Sequence, residues 1–180
     1  MDDSIRAACD ELYTGRETAV DLLGVEDSQE AADEINRHYS DHGHVTNLTH
    51  QVLDALVEAM GSSQQPWREP ICESTIRHIH MALFPCENNS GVYRDRWNSE
   101  GRDIRALNFY GISEWLDRIL PLSTEGLPKV FEEVNLDMGI WYNAFKRVKP
   151  FAYGNKRVAK VVVTALLYMQ YGRWYVLDEA

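Results

Sequence analysis

The sequence predicts an all-α protein with one small β-hairpin and a buried central helix. Apolar residues recur at the three- and four-residue spacing of helices through most of the chain. A long apolar run lies between Gly154 and Gly172, as in a helix that is buried on all sides. One cluster of turn residues, 98–101, separates two short segments of strand character. With 180 residues, 44% of them hydrophobic, the chain can bury a core of its own.

The first sixty residues predict only helices. Residues 3–24 carry an apolar stripe at helical spacing, with a break at Gly15. A second helix begins at the cap candidates Asp27 and Ser28, with acidic residues in its early turns. A third helix covers residues 46–61, where Gly61 ends it.

The polar stretch SSQQPWREP, residues 62–70, is the clearest linker in the chain. We therefore divide the chain into an N-terminal helical extension, residues 1–65, and a core, residues 66–180. The extension either packs on the core or provides a surface for a partner, and the sequence does not decide between the two.

The core is predicted to be helical apart from its hairpin. A helix at 72–85 has caps near Ser74 and Thr75, and strands at 92–97 and 104–109 form the hairpin. A helix capped by Ser113 ends before Pro121, and residues 127–148 form the next one. The run 156–171 contains three consecutive valines, so a strand is its rival, but its length favours a buried central helix.

Charge and cysteine usage restrict the classes of partner. The net charge of −10 argues against broad binding to nucleic acid or to anionic membranes, since positive charge drives both. No segment is long and apolar enough to span a bilayer. Three cysteines without metal-ligand spacing and the lack of an apolar leader predict a cytoplasmic protein, with a secreted effector as the alternative.

Residues 149–160, KPFAYGNKRVAK, combine the features of an anion-binding helix start. Gly154 lets the backbone approach closely, Asn155 can cap, and Arg157 and Lys160 share one face of the first turns. A helix N-terminus also presents unpaired N–H groups and the positive end of the macrodipole. The alternative is a Gly-Asn turn with solvated basic residues, and spacing alone favours neither.

The same residues resemble the signature of the Fic/Doc (Fido) family, which reads H-x-F-x-[D/E]-G-N-x-R-x-x-R. Phe151, Gly154, Asn155 and Arg157 are in register, and HIHMALFPCENNSGVYR, residues 78–94, is similar to the approach to the family's flap hairpin. The resemblance covers residues 70–172. It implies a Fic-like helical bundle, a site for ATP or another nucleotide, and transfer of AMP to a protein hydroxyl.

The resemblance also implies roles for single residues. Gly154 and Asn155 take the anion-hole positions, and Arg157 takes that of the arginine that contacts nucleotide phosphate. Lys156 replaces the second glycine, as in the phosphotransferase branch of the family. Lys160 stands where a second arginine is usual, so the charge is kept but the bidentate fork is lost.

Two departures from the signature argue against ordinary AMP transfer. Lys149 occupies the position of the catalytic histidine, and a lysine needs a pKa depression of roughly 3 units, or about 4 kcal/mol, to act as a base at neutral pH. Tyr153 occupies the position of the acidic magnesium ligand and is a poor ligand for that ion. We therefore predict no metal site and do not expect Mg²⁺.

The sequence thus predicts a degenerate Fic-fold protein that binds a nucleotide, a phosphate-bearing ligand or a protein target, with little or no AMP transfer. An active transferase that uses Lys149, and a non-catalytic interaction partner or decoy, are the alternatives. No Ser or Thr has a glutamate at the spacing of the family's inhibitory motif, [S/T]-x-x-x-E-[G/N]. Self-inhibition of that kind is not expected, and a separate inhibitory partner stays an alternative.

The predicted hairpin carries four arginines: Arg94, Arg96, Arg102 and Arg105. In the family this flap adds a strand to an extended target segment, so a protein target with negative charge is one interpretation. A solvated hairpin whose arginines blunt its edges is the other.

The histidines offer one further candidate site. A shared metal is one interpretation of His38, His42 and His44, and the interpretation that we favour is solvent-exposed side chains at a helix exit. The resemblance to the Fic/Doc family implies that His78 lies in the core helix and faces the flap.

Overall fold

Seven α-helices and one two-stranded sheet make up the part of the chain that the structure, a computed structural model, describes. That part comprises residues 1–12, 20–37, 39, 43–61, 71–95 and 111–179. In chain order, the elements are α1 (Asp3–Leu12), β1 (Val20–Val25), α2 (Ser28–Asn36), α3 (Gly43–Gly61), α4 (Glu73–Leu83), α5 (Ile112–Ile119), α6 (Val134–Val148), α7 (Asn155–Tyr171) and β2 (Trp174–Glu179). The prediction of a mostly helical protein is therefore confirmed.

Helix α7 lies at the centre of the fold, as predicted. Residues 157–167 are all buried, and α2, α3, α4, α6 and β2 pack around them. Burial on every side outweighs the weak helix propensity of the three valines, so the rival strand does not form. Gly154 precedes the helix and Gly172 ends it, both with the left-handed backbone that glycine adopts most easily (φ 74° and 70°).

The sheet joins two segments that are far apart in sequence. β1 and β2 pair antiparallel, from Val20 opposite Glu179 to Val25 opposite Trp174. The predicted helix over residues 3–24 is therefore wrong at residues 20–24, because these belong to β1. The hydrogen-bond partners of β1 are on β2, which is distant in sequence. The spacing of apolar residues around β1 therefore does not indicate a strand.

Most of the predicted hairpin lies outside the described residues. Residues 96–110, which include the turn and the whole second strand, belong to that part. The described beginning of the first strand, residues 92–95, is not a β-strand. Instead, the backbone N–H of Arg94 donates to the carbonyl of Pro150 at 2.8 Å, which ties this segment to the loop before α7.

The described N-terminal elements pack on the same core as the rest of the chain. α1 lies against α5 and α6, and α3 lies against α4 and α7. Ile5, Leu12, Ile35 and Leu53 are buried in one apolar cluster with the side chains of α6 and α7. The described helices α1, α2 and α3 thus pack against the core.

Two of the predicted helix starts can be compared with the structure in detail. The Asp27 carboxylate accepts from the Glu30 N–H at 2.8 Å and caps α2, as predicted. The predicted cap at Ser113 is wrong, because α5 begins after Gly111. The Ser113 hydroxyl instead donates to the Glu73 carboxylate at 2.7 Å and links α5 to α4.

Among the described residues, no helix has the length and apolar character that crossing a membrane requires. The cytoplasmic location stays a prediction.

Candidate functional site

The candidate site lies where α6 ends and α7 begins. Lys149 is the C-cap of α6, with a left-handed backbone (φ 47°), and its N–H donates to the Phe145 carbonyl at 2.9 Å. For a residue other than glycine this conformation costs about 1–2 kcal/mol. The hydrogen bond to Phe145 and the left-handed backbone therefore fix the direction of the Lys149 Cα–Cβ bond at the end of α6.

Arg94 holds this helix end from the other side. Its side chain is only 5% exposed, and its guanidinium donates to the carbonyls of Lys149 (2.5 Å) and Val148 (3.1 Å). Cations near a helix C-terminus are favourable because carbonyls there lack helical partners. Arg94 was predicted to decorate a target-binding hairpin, but its buried side chain caps α6. The other three arginines of that prediction, Arg96, Arg102 and Arg105, lie outside the described residues.

The Asn155 side chain closes the loop between the two helices on itself. Its amide oxygen accepts from the Phe151 N–H at 2.9 Å, and its amide nitrogen donates to the Phe151 carbonyl at 2.8 Å. Both ends of the amide are thus used within the loop. Asn155 therefore shapes the loop, and one of its two amide N–H donors is used within it.

Gly154 is packed tightly against an aromatic ring. A Cβ atom at this position would lie 2.3 Å from Cε2 of Phe84, well inside contact distance. Only glycine fits both this approach and the left-handed backbone. The Phe84 ring therefore covers one side of the turn at which α7 begins.

His80 connects α4 to the same loop. The Gly91 N–H donates to His80 Nδ1 at 2.9 Å, so the ring proton is on Nε2, which donates to the Tyr153 carbonyl at 3.0 Å. The ring also stacks on Phe151, with centroids 3.9 Å apart. Burial lowers the pKa of His80 to about 4, so the imidazole is neutral at pH 7.

His80, not His78, is the buried histidine of α4. His78 lies in α4, as expected, and its side chain is exposed. The apolar spacing of α4 contains the signal, since Ile76, Ile79 and Leu83 are buried and His80 shares their face. Of the three histidines of the metal alternative, His38 and His42 lie outside the described residues, as does the side chain of His44.

Tyr153 points toward the segment after α4. Its hydroxyl donates to the Asn88 carbonyl at 2.7 Å, and its ring packs edge-on against Phe84. Burial, with a smaller contribution from the charge of Glu87, raises the pKa of this phenol. A protonated phenol already bound to a carbonyl does not fit the role of a magnesium ligand.

Arg157 is the most unusual side chain of the site. It is 3% exposed, and its guanidinium carbon lies 4.0 Å from the ring centroid of Tyr39 and 5.8 Å from that of Phe84. No described residue forms an ion pair or a hydrogen bond with this guanidinium. Burial lowers its pKa, although the group remains charged at neutral pH. The result is a buried cation without an anion among the described residues.

The first turn of α7 adds backbone donors beside this cation. The first helical hydrogen bond runs from the Val158 N–H to the Gly154 carbonyl. The N–H groups of residues 155–157 precede it and have no acceptor within the described part of the chain. Free donors and the positive end of a helix dipole suit a phosphate.

The two lysines of the predicted cradle face a carboxylate of the chain. Glu179 on β2 accepts from Lys146 at 2.7 Å and lies 3.6 Å from the Lys156 ammonium. Burial alone would raise the pKa of Glu179. The hydrogen bond from Lys146 and the charges of Lys146 and Lys156 outweigh burial and lower this pKa to about 2. Lys160 is buried, which lowers its pKa, while the charge of Glu179 opposes the shift.

The structure therefore separates the five predicted binding residues into three groups. Gly154 and Asn155 form the turn, Arg157 is a buried cation without an anion, and Lys156 and Lys160 lie on the side of Glu179. Tyr39 and Phe84, which cover Arg157, were not predicted. Tyr39 is far from Arg157 in sequence, and no local pattern connects the two.

The chain matches no protein-family model, and no curated protein matches its sequence. The resemblance to the Fic/Doc family rests on the motif residues and stays a prediction.

Proposed function

We propose that the N-terminal end of α7 binds the phosphate of a nucleotide, such as ATP, or of another phosphate-bearing ligand. We further propose that the protein is a degenerate Fic-type protein with little or no AMP transfer. The first proposal is independent of the second, because it follows from the residues around α7 and not from the family signature.

The observation that carries the proposal is Arg157. A buried cation without a partner is destabilised by several kcal/mol. An aromatic face returns only about 0.5–2 kcal/mol of this and satisfies none of the guanidinium N–H donors. A phosphate oxygen at this place would pair with the cation, and it would also accept from the free N–H groups of residues 155–157.

The same geometry argues against efficient transfer of AMP. At the position of the catalytic base there is a lysine, Lys149, in place of the imidazole that suits the task. At the position of the metal ligand there is the phenol of Tyr153, which donates to Asn88. Neither residue supplies the chemistry that the family signature requires.

Calorimetry with ATP and with inorganic pyrophosphate tests the binding proposal. Replacing Arg157 by Ala removes one or two charge-assisted hydrogen bonds, so we expect affinity to fall about 10- to 100-fold. The matched control is Arg173→Ala, which removes the same charge from an exposed residue beyond the other end of α7. If the wild type and both variants bound ATP and pyrophosphate with equal affinity, the proposed phosphate site would be refuted.

Labelled ATP and a cell lysate test the proposal about transfer. We expect no label on the protein or on lysate proteins. Label that appears with the wild type and disappears with Lys149→Ala would instead establish an active transferase. Absence of both binding and transfer would favour the third class, a non-catalytic interaction partner.

A further inference from the structure

Tyr39 is one of the two aromatic residues that pack on Arg157. It lies between α2 and α3, and its ring face lies 4.0 Å from the guanidinium carbon. Phe84 lies on another side, and 3% of the Arg157 residue surface is exposed. With so little of the residue exposed, full contact between a phosphate and the guanidinium requires a neighbouring group to move.

The two rings are held very differently. Phe84 is buried, packs against the backbone of Gly154 and contacts the rings of both His80 and Tyr153. Moving it would disturb the turn at which α7 begins.

Tyr39 is only half-buried, and its hydroxyl makes no hydrogen bond to any described residue. Its described polar contact is a backbone bond from its N–H to the Asn36 carbonyl at 2.9 Å, which a side-chain rotation leaves intact. A side chain with fewer contacts changes rotamer more easily than one that is fully packed. Tyr39 is therefore the less tightly held of the two rings.

We propose that Tyr39 is a displaceable cover on the anion site: its ring stacks on Arg157 in the free protein and is displaced when a phosphate-bearing ligand binds. The ring face attracts the positive charge of the guanidinium, but it accepts no hydrogen bond from the N–H groups that lie in the guanidinium plane. A phosphate accepts these donors, so it is the stronger partner. This inference rests on the proposed phosphate site. It adds that the affinity of the wild type for a phosphate-bearing ligand is reduced, because the Tyr39 ring must first leave Arg157.

The first experiment needs no ligand. Phenylglyoxal modifies accessible arginines, and mass spectrometry reports the rate at each one. We compare the wild type with Tyr39→Ala, which removes the ring, and with Tyr39→Phe, which keeps it. Arg157 should react about fivefold faster in Tyr39→Ala, the factor that corresponds to a typical cation–π contact, and at the wild-type rate in Tyr39→Phe. The exposed Arg118 gives the reference rate in each protein.

The second experiment adds inorganic pyrophosphate to the same proteins. It should slow the modification of Arg157, and half-protection should need about fivefold less pyrophosphate in Tyr39→Ala than in the other two. If Tyr39→Ala does not fold, as judged by circular dichroism, nitration of Tyr39 in the wild type replaces it. Nitration by tetranitromethane should become faster on addition of pyrophosphate.

The outcomes separate the two proposals. Equal rates of phenylglyoxal modification of Arg157 in all three proteins would refute the proposal that Tyr39 covers Arg157. Weaker protection by pyrophosphate in Tyr39→Ala would overturn it too, because the ring would then be a support for the ligand. In the nitration arm, an unchanged or slower rate would do the same. A faster rate in Tyr39→Ala without any protection by pyrophosphate would support the cover and refute the phosphate site.

Discussion

The neutral, buried His80 predicts a specific dependence of stability on pH. The folded-state pKa is about 4, below the ordinary value of 6.5. Between these values the unfolded chain binds a proton that the folded protein does not. The stabilisation is therefore complete above about pH 6.5 and is lost as the pH falls toward 4. A difference of this size corresponds to about 3 kcal/mol of unfolding free energy.

The variant His80→Phe isolates this contribution. It keeps a ring against Phe151 but leaves the Gly91 N–H and the Tyr153 carbonyl without their partner. Two buried groups left unsatisfied cost about 2–5 kcal/mol at pH 7. Since phenylalanine does not titrate, the gap between wild type and variant should narrow by about 3 kcal/mol as the pH falls from 7 to 4.

Urea denaturation at a series of pH values, followed by circular dichroism, measures both quantities. The wild-type carboxylates also titrate in this range, but they are present in both proteins and cancel in the difference. His78→Phe is the control on the exposed side of the same helix, and it should change the unfolding free energy at pH 7 by no more than about 0.5 kcal/mol. A gap between wild type and His80→Phe that is the same at every pH would refute a buried, neutral His80.

Two further predictions concern the turn before α7. Gly154→Ala should destabilise the protein by about 3 kcal/mol or more, because it combines a left-handed backbone with a clash against Phe84, whereas Gly172→Ala, with open space around it, should cost only about 1 kcal/mol. Thermal unfolding followed by circular dichroism measures both, and equal losses would contradict the tight packing at Gly154. Asn155→Ala leaves the Phe151 N–H and carbonyl unsatisfied. Chemical denaturation should therefore show an unfolding free energy that is lower by about 2–4 kcal/mol. A decrease of less than about 0.5 kcal/mol would show that water replaces the amide.

Helices whose boundaries have a local chemical cause could be predicted from the sequence. The side chain of Asp27 caps α2, and Gly154 and Gly172 have the left-handed backbone that glycine adopts most easily. β1 could not be predicted, because its apolar residues continue the helical spacing of the preceding stretch. What makes it a strand is β2, which lies almost at the other end of the described chain.

The candidate site shows the same division between local and distant causes. The motif 149–160 does mark the start of α7, and Arg157 does lie in its first turns. Its surroundings come from elsewhere: Tyr39 from the segment after α2, Phe84 from the end of α4, and Glu179 from β2. Spacing shows which residues share a face of a helix, but it does not show what that face meets.

The pairing of β1 with β2 has a consequence for how the protein is made. A ribosome synthesises β1 before β2, so this sheet cannot close until the residues between Val25 and Trp174 have been made. Until then the backbone edge of β1 stays open to other chains, and the acidic side chains of Asp21 and Glu26 beside it reduce the chance of such contacts.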